Sequence, residues 1–315
     1  GPTATSAPTA AAPTAAPTDP TGPQFARGPD GVVAVTSADV SMPPAVDAQL
    51  AANAPARIVS LATGVGETLA ALGVGDRVVG RDETSDVPAI DAAPVVTRAH
   101  AVNAEQVLAL APDVVLVDDA TAPPEAIDQI RAAGIDVVSV PSAWTITDIA
   151  ARTRAVATAV GASAAAADAV IAEATGAGDD ARPAANAPRV AFLYLRGTSA
   201  IYLVGGRGSG ADSVIAAAGA VDAGAAAGLD AFVPLTAEAL AAMNPDILLV
   251  MSKGLESVGG MAGLEQLPGV AQTSAGQQRR VVRVDDTLLL SFGPRTHALV
   301  EALAEAFATV RTGPA

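Results

Sequence analysis

One fifteen-residue phrase occurs twice in this chain, as NAEQVLALAPDVVLV at 103–117 and as TAEALAAMNPDILLV at 236–250. Glu105 and Glu238 are 133 residues apart, and so are Asp113 and Asp246. Each copy reads as a capped helix with an acidic first turn, followed by an unbroken apolar strand. A helix–strand unit repeated at one long interval, each copy inside its own alternating stretch, requires two lobes built alike.

The sequence on either side supports this. RIVSLA reads as a strand, ETLAALG as a helix closed by Gly73, and RVVG as a strand; after the first repeat come the helix PEAIDQIRAAG, closed by Gly134, and the strand DVVSV. Beyond Pro188 follow RVAFLYL, AIYLV, a helix from Ala211, DILLV, RVVRV and a closing helix from Thr296. Runs of Val, Ile and Leu without alternation, separated by helices, indicate mostly parallel sheets covered on both faces. The expected class is α/β, with two similar lobes joined by one long Ala-rich helical stretch over 145–182, dented at Gly161. The expected division is a tether at 1–55, a first lobe at 56–160, a connecting helix at 161–186 and a second lobe at 187–312. A stiff connection lets the lobes rock slightly and not clap shut. In open α/β sheets ligands sit beyond the carboxyl ends of the strands, so a ligand cleft is expected between the lobes.

Composition removes several classes of function. The Pro/Thr/Ala-rich opening has almost no large apolar side chain and reads as a flexible tether of the kind that holds a domain off a cell surface. A net charge of −15, spread along the chain, argues against a nucleic-acid partner. The absence of cysteine rules out disulfides, thiolate metal sites and cysteine nucleophiles. GGRGSGADS lacks the spacing of a phosphate-binding loop and reads as a tight strand–helix turn. With no GxSxG elbow or comparable constellation, the chain reads as a binding protein and not an enzyme.

RIVSLATGVGETLAALGVGDRVVGRD, the two repeats and SFGPRT together resemble the helix-backboned (class III) substrate-binding proteins of bacterial ABC importers for haem, cobalamin and ferric siderophores. The resemblance covers 56–312. It implies an extracytoplasmic protein, tethered to the outer face of the membrane by a lipid on an N-terminal cysteine that this sequence lacks. It also implies a role for the repeated glutamates. The helix dipole alone favours a carboxylate at Glu105 and Glu238. In proteins of this family one Glu per lobe enters an arginine pocket on the membrane permease, and these two positions match.

Two histidines, His100 and His297, and two tyrosines, Tyr194 and Tyr202, are the scarce side chains to weigh. His100 precedes the first repeated helix, and Tyr194 ends the strand RVAFLYL. Read from the residues alone, a loop or capping histidine and a half-buried tyrosine remain open alternatives. Arg196 follows Tyr194 at a spacing that puts both on one side of an extended strand. A nearby cation favours the phenolate form that binds iron. TRAH and YLRG resemble the motifs of haemin-binding lipoproteins from actinobacterial haem importers. That resemblance implies that His100 and Tyr194 ligate ferric haem from opposite faces, with Arg196 hydrogen-bonding the phenolate and surface proteins supplying the haem. Tyr202 lacks such an arginine and is expected to line the pocket, while His297 reads as structural. Arg81 and Arg295, and less so Arg98 and Arg207, are candidates to meet the propionates; Met251, Met261 and Trp144 are apolar residues that either touch the macrocycle or pack ordinarily. The alternative cargo is cobalamin or a ferric siderophore, though a siderophore pocket calls for more basic and aromatic groups than this chain carries.

Overall fold

The computed structural model describes residues 25–98, 101–176 and 183–312. The tether expected over 1–24 therefore lies outside the described residues.

The first lobe holds β2 (Ile58–Ser60), α1 (Val65–Ala71), β3 (Val78–Arg81), β4 (Thr97–Arg98), β5 (Ala101–Val102), α2 (Ala104–Ala109), β6 (Val114–Val117), α3 (Pro124–Ala132) and β7 (Asp136–Ser139). Its sheet runs β3-β2-β6-β7, all parallel, with β4 and β5 as a separate antiparallel pair. Ile58, Val114 and Leu116 enter one core while Val59, Val115 and Val117 enter another on the opposite face. This double burial is why the strands show no polar alternation.

The second lobe holds β8 (Arg189–Arg196), β9 (Ile201–Gly205), α6 (Ala211–Ala217), β10 (Val221–Asp222), α7 (Ala223–Ala226), β11 (Phe232–Pro234), α8 (Ala237–Met243) and β12 (Ile247–Met251). Then come α9 (Ser252–Ser257), α10 (Gly260–Leu264), α11 (Ser274–Gln277), β13 (Val281–Val284), α12 (Asp286–Leu289) and α13 (Thr296–Thr312). The strand order is β13-β12-β8-β9-β11, with β10 beside the start of β8 and β9 and β11 antiparallel to their neighbours.

This seven-stranded sheet has three strands beyond the four expected, β10, β11 and one from the segment expected to be tether. Val32–Val35, here β1, pairs in parallel with β13 at its edge. Residues 25–55 are thus part of the fold and not tether. Arg27 fastens the entry, its Nη2 donating to the carbonyls of Gln278 and Arg279 at 2.8 and 2.7 Å. Val40 is then buried in the second lobe's core and Ala48 in the first lobe's, so 36–55 runs across the seam between them. The Pro- and Ala-rich surroundings hid a four-residue strand whose β-branched side chains gain burial only against β13.

The connector also differs from a single long helix. It is a pair, α4 (Asp148–Ala159) and α5 (Ala164–Thr175), separated at Gly161, which adopts a left-handed φ of 71°. Ile149 at the start of α4 lies in the second lobe's core and Val156 near its end lies in the first lobe's; α5 returns, with Ala167 in the first lobe and Ala174 in the second. The two helices are antiparallel struts, and the expected boundary at 160 falls in the turn between them.

The lobes are pinned from inside. Arg295, just before α13, is 4% exposed and forks onto Glu67 of α1, 1% exposed, with Nε donating to Oε2 at 3.2 Å and Nη2 to Oε1. Arg152 of α4, also buried, donates to the carbonyl of Thr63 at 2.9 Å and to those of Phe292, at 2.8 Å, and Ser291 across the seam. Gly64 has φ 76° and leaves no room for a Cβ against the Ser291 carbonyl. The quoted phrases ATGVGE and SFGPRT are therefore the two halves of one interlobe joint. Burial pushes the Glu67 carboxyl up, and Arg295 and Arg152 pull it back toward the charged form.

Removing one member of a buried pair leaves the other unpaired. Arg295→Ala is expected to lower unfolding free energy by about 3–5 kcal/mol in urea titrations. Asp222 supplies a pH test. Its Oδ1 accepts from Ala225 N at 2.6 Å, Oδ2 is buried without a partner among the described residues, and burial raises its pKa from 3.8 to about 6. The folded state keeps this proton longer than the unfolded one, so stability falls as pH rises from about 4 to about 6 and then levels, by at most about 3 kcal/mol. Asp222→Asn should flatten that slope and be more stable than the parent at pH 7, as read by thermal melts across pH.

Candidate ligand cleft

The interlobe contacts come from residues just past the carboxyl ends of the strands: Thr63 and Gly64 beyond β2, Ser291 and Phe292 beyond β13. The strand ends of the two lobes therefore face one another. In the first lobe they hold a pocket of about 110 Å³ lined by Leu61, Thr63, Asp82, Thr97, Asp118, Ala120 and Thr121. Asp82 is buried there and desolvation pushes its carboxyl up, countered by bonds from the Thr84 and Ser85 hydroxyls and from Thr84 N at 3.0 Å. The Glu83 N–H donates to Thr97 Oγ1 at 3.0 Å, tying this loop to β4. The pocket is below the roughly 300–1,000 Å³ of a drug-sized ligand site, so a larger cargo must use the open cleft above it.

Across the cleft, Tyr194 and Arg196 stand at the carboxyl end of β8, as expected from their spacing. Arg196 Nε donates to the Tyr194 hydroxyl oxygen at 2.5 Å, and its guanidinium carbon lies 5.2 Å from the centre of the phenol ring. Phe232 of β11 backs the ring at 5.7 Å between centroids. Tyr194 is half-buried and Arg196 exposed, so the pair reaches solvent at the carboxyl end of β8. His100 falls in sequence between β4 and β5 and lies outside the described residues.

The other candidate residues divide between those committed elsewhere and those left exposed. Tyr202 pairs with Leu195, next to Tyr194 in sequence, and packs on the opposite face of the sheet, so the two tyrosines do not share a surface. Arg295 is committed to Glu67 and is not free for an anionic group. Arg81 is half-buried and holds its own loop, donating to Ala93 O at 3.1 Å and Ser85 O at 2.7 Å. Arg207 pairs with Asp230, and Met251 and Met261 are core residues. Arg98 is exposed on β4, while His297 lies on α13 with Nε2 3.6 Å from Glu301 Oε1.

The repeat divides into two parts. Asp113 Oδ2 accepts from Arg57 N at 2.9 Å, and Asp246 Oδ2 from Arg189 N at the same distance. Arg57 Nε donates to Leu110 O and Arg189 Nε to Met243 O, both at 3.1 Å, tying each helix end to the strand beside it. These are matched structural joints. Asn103 and Thr236 cap α2 and α8 by accepting from Gln106 N and Ala239 N. Glu105 and Glu238, by contrast, are exposed in the first turns of these helices, and no ion pair engages them among the described residues.

A two-lobed α/β molecule with helical struts and an open cleft at its strand ends is a ligand-binding architecture. The chain belongs to the periplasmic binding protein family, whose model matches residues 58–288. A substrate-binding lipoprotein of an ABC transporter from Bacillus subtilis (strain 168), YvrC, is 29% identical over 257 residues, 80% of this chain and 79% of that protein. Among solved structures, the periplasmic heme-binding protein RhuT from Roseiflexus sp. RS-1, in apo form, is 41% identical with a TM-score of 0.74, covering 81% of this chain and 98% of that one. The heme-binding protein HmuT is 33% identical with a TM-score of 0.76, covering 90% and 99%. These relatives are binding proteins and not enzymes.

Stability measurements separate the two parts of the repeat. Asp113→Ala and Asp246→Ala should each lower stability by about 0.5–1.5 kcal/mol, because each loses the carboxylate bond that ties a helix end to the start of a strand. Glu105→Gln with Glu238→Gln should change it by less than about 1 kcal/mol in the same urea titrations.

Proposed function

We propose that this protein binds haem in the interlobe cleft and delivers it to an ABC importer. The observation that carries the reading is the Tyr194–Arg196 pair at the cleft end of β8. A phenol oxygen is a known ligand of ferric haem iron, and a guanidinium donating to it offers a positive charge beside that oxygen. His100, on the sequence between β4 and β5, supplies the second axial ligand from the first lobe. RhuT and HmuT support the choice of cargo by their names. HmuT has also been solved with alanine in place of a histidine, of a tyrosine and of an arginine two positions after that tyrosine, the spacing of Tyr194 and Arg196. Glu105 and Glu238, one per lobe and without an ion pair among the described residues, present matched carboxylates to basic pockets on a two-fold membrane partner, where opposite charge sets orientation.

A haemin titration followed by visible absorption tests this. The intact protein should give a saturable Soret shift, and His100→Ala, Tyr194→Phe and Arg196→Ala should each alter the bound spectrum differently. No saturable shift in the intact protein would sink the haem reading and bring cobalamin or a ferric siderophore forward. The Glu105→Gln, Glu238→Gln pair should keep haemin binding and lose haem delivery in cells.

A further inference from the structure

We infer that Trp144 is the residue that selects a flat apolar macrocycle in the cleft; this rests on the haem reading above. Trp144 is the chain's only tryptophan and is 49% exposed. It sits on the segment that crosses from β7 to α4, and its neighbours are bonded to different lobes. Ser142 Oγ donates to Asp119 Oδ1 beyond β6 in the first lobe, while Ile146 N donates to Ser213 Oγ on α6 in the second, at 3.0 Å. Ala143 is buried in the second lobe's core and Ile146 packs against it. The Trp144 and Thr145 N–H groups both donate to Asp148 Oδ2, at 3.0 and 2.9 Å. The backbone is therefore held on both sides and the indole alone is left outward, at the seam.

The other exposed large apolar side chains point to the same place. Among the described residues they are Val95 and Ile201, each 40% exposed. Val95 bridges to Arg81, the last residue of β3, and Ile201 pairs with Arg196, the last residue of β8. Each stands beside the end of a strand, one in each lobe, and Trp144 follows the carboxyl end of β7. Among the described residues these are the large apolar groups left exposed, and all three lie near strand ends that face the seam, which is the informative kind of exposure. An indole with two rotatable bonds and a fixed backbone offers a large rigid surface at small ordering loss, suited to a porphyrin face or edge and ill-suited to a polar chelate.

The test compares haemin with metal-free protoporphyrin IX on the intact protein, Trp144→Ala and Trp144→Phe. Trp144→Ala should weaken both porphyrins by roughly tenfold, consistent with lost apolar contact. The absorption band of bound haemin should keep its shape, since the iron ligands are untouched, and Trp144→Phe should recover most of the loss. Tyr194→Phe should weaken haemin and leave protoporphyrin IX unchanged. Full-strength binding of both porphyrins by Trp144→Ala overturns the assignment of Trp144 alone. Failure of the intact protein to bind haemin overturns the haem reading and this inference with it.

Discussion

The buried joint between the lobes is the constraint on which the rest depends. Glu67 and Arg295 form a fork with almost no solvent contact, and Arg152 spends its donors on three carbonyls, one on one side of the seam and two on the other. Such groups tolerate burial only when every charge is met, so the joint accepts a narrow range of geometries. Small sliding that unpairs either guanidinium is opposed, and the antiparallel struts α4 and α5 resist bending. The joint and the struts together oppose large changes in the angle between the lobes.

That rigidity gives the repeat its meaning. Each copy contains an aspartate and an arginine partner that lock a helix to its strand, and a glutamate that locks nothing. With both helices fixed to their own lobes and the lobes fixed to each other, the two carboxylates become a pair at a set separation. A mobile hinge would have let that separation wander.

The sequence was most informative where the physics is local. Helix caps at Asn103 and Thr236, the turns at Gly73 and Gly134, and the alternation of strands and helices were all legible, because each depends on neighbours within a few residues. So was the contact of Arg196 with Tyr194, which the two-residue strand period sets. It was least informative where long-range pairing decides. Val32–Val35 is a weak strand until β13 lies beside it. Arg295 read as a candidate to meet the propionates until Glu67 arrived from 228 positions away. Tyr202 was expected to line the pocket, and the register of β8 and β9 put it on the other face from Tyr194.

By itself the sequence determined that there would be two lobes of parallel sheet and helix, that their strand ends would bear a tyrosine–arginine pair, and that each lobe would carry one matched glutamate. Periodicity, capping and duplication are properties of a linear string. Only the tertiary structure decided which charged groups are spent on holding the lobes together and which remain for a ligand or a partner. Burial and pairing are properties of the packed interior, where a guanidinium within reach of a carboxylate is used up and one facing the cleft is left free.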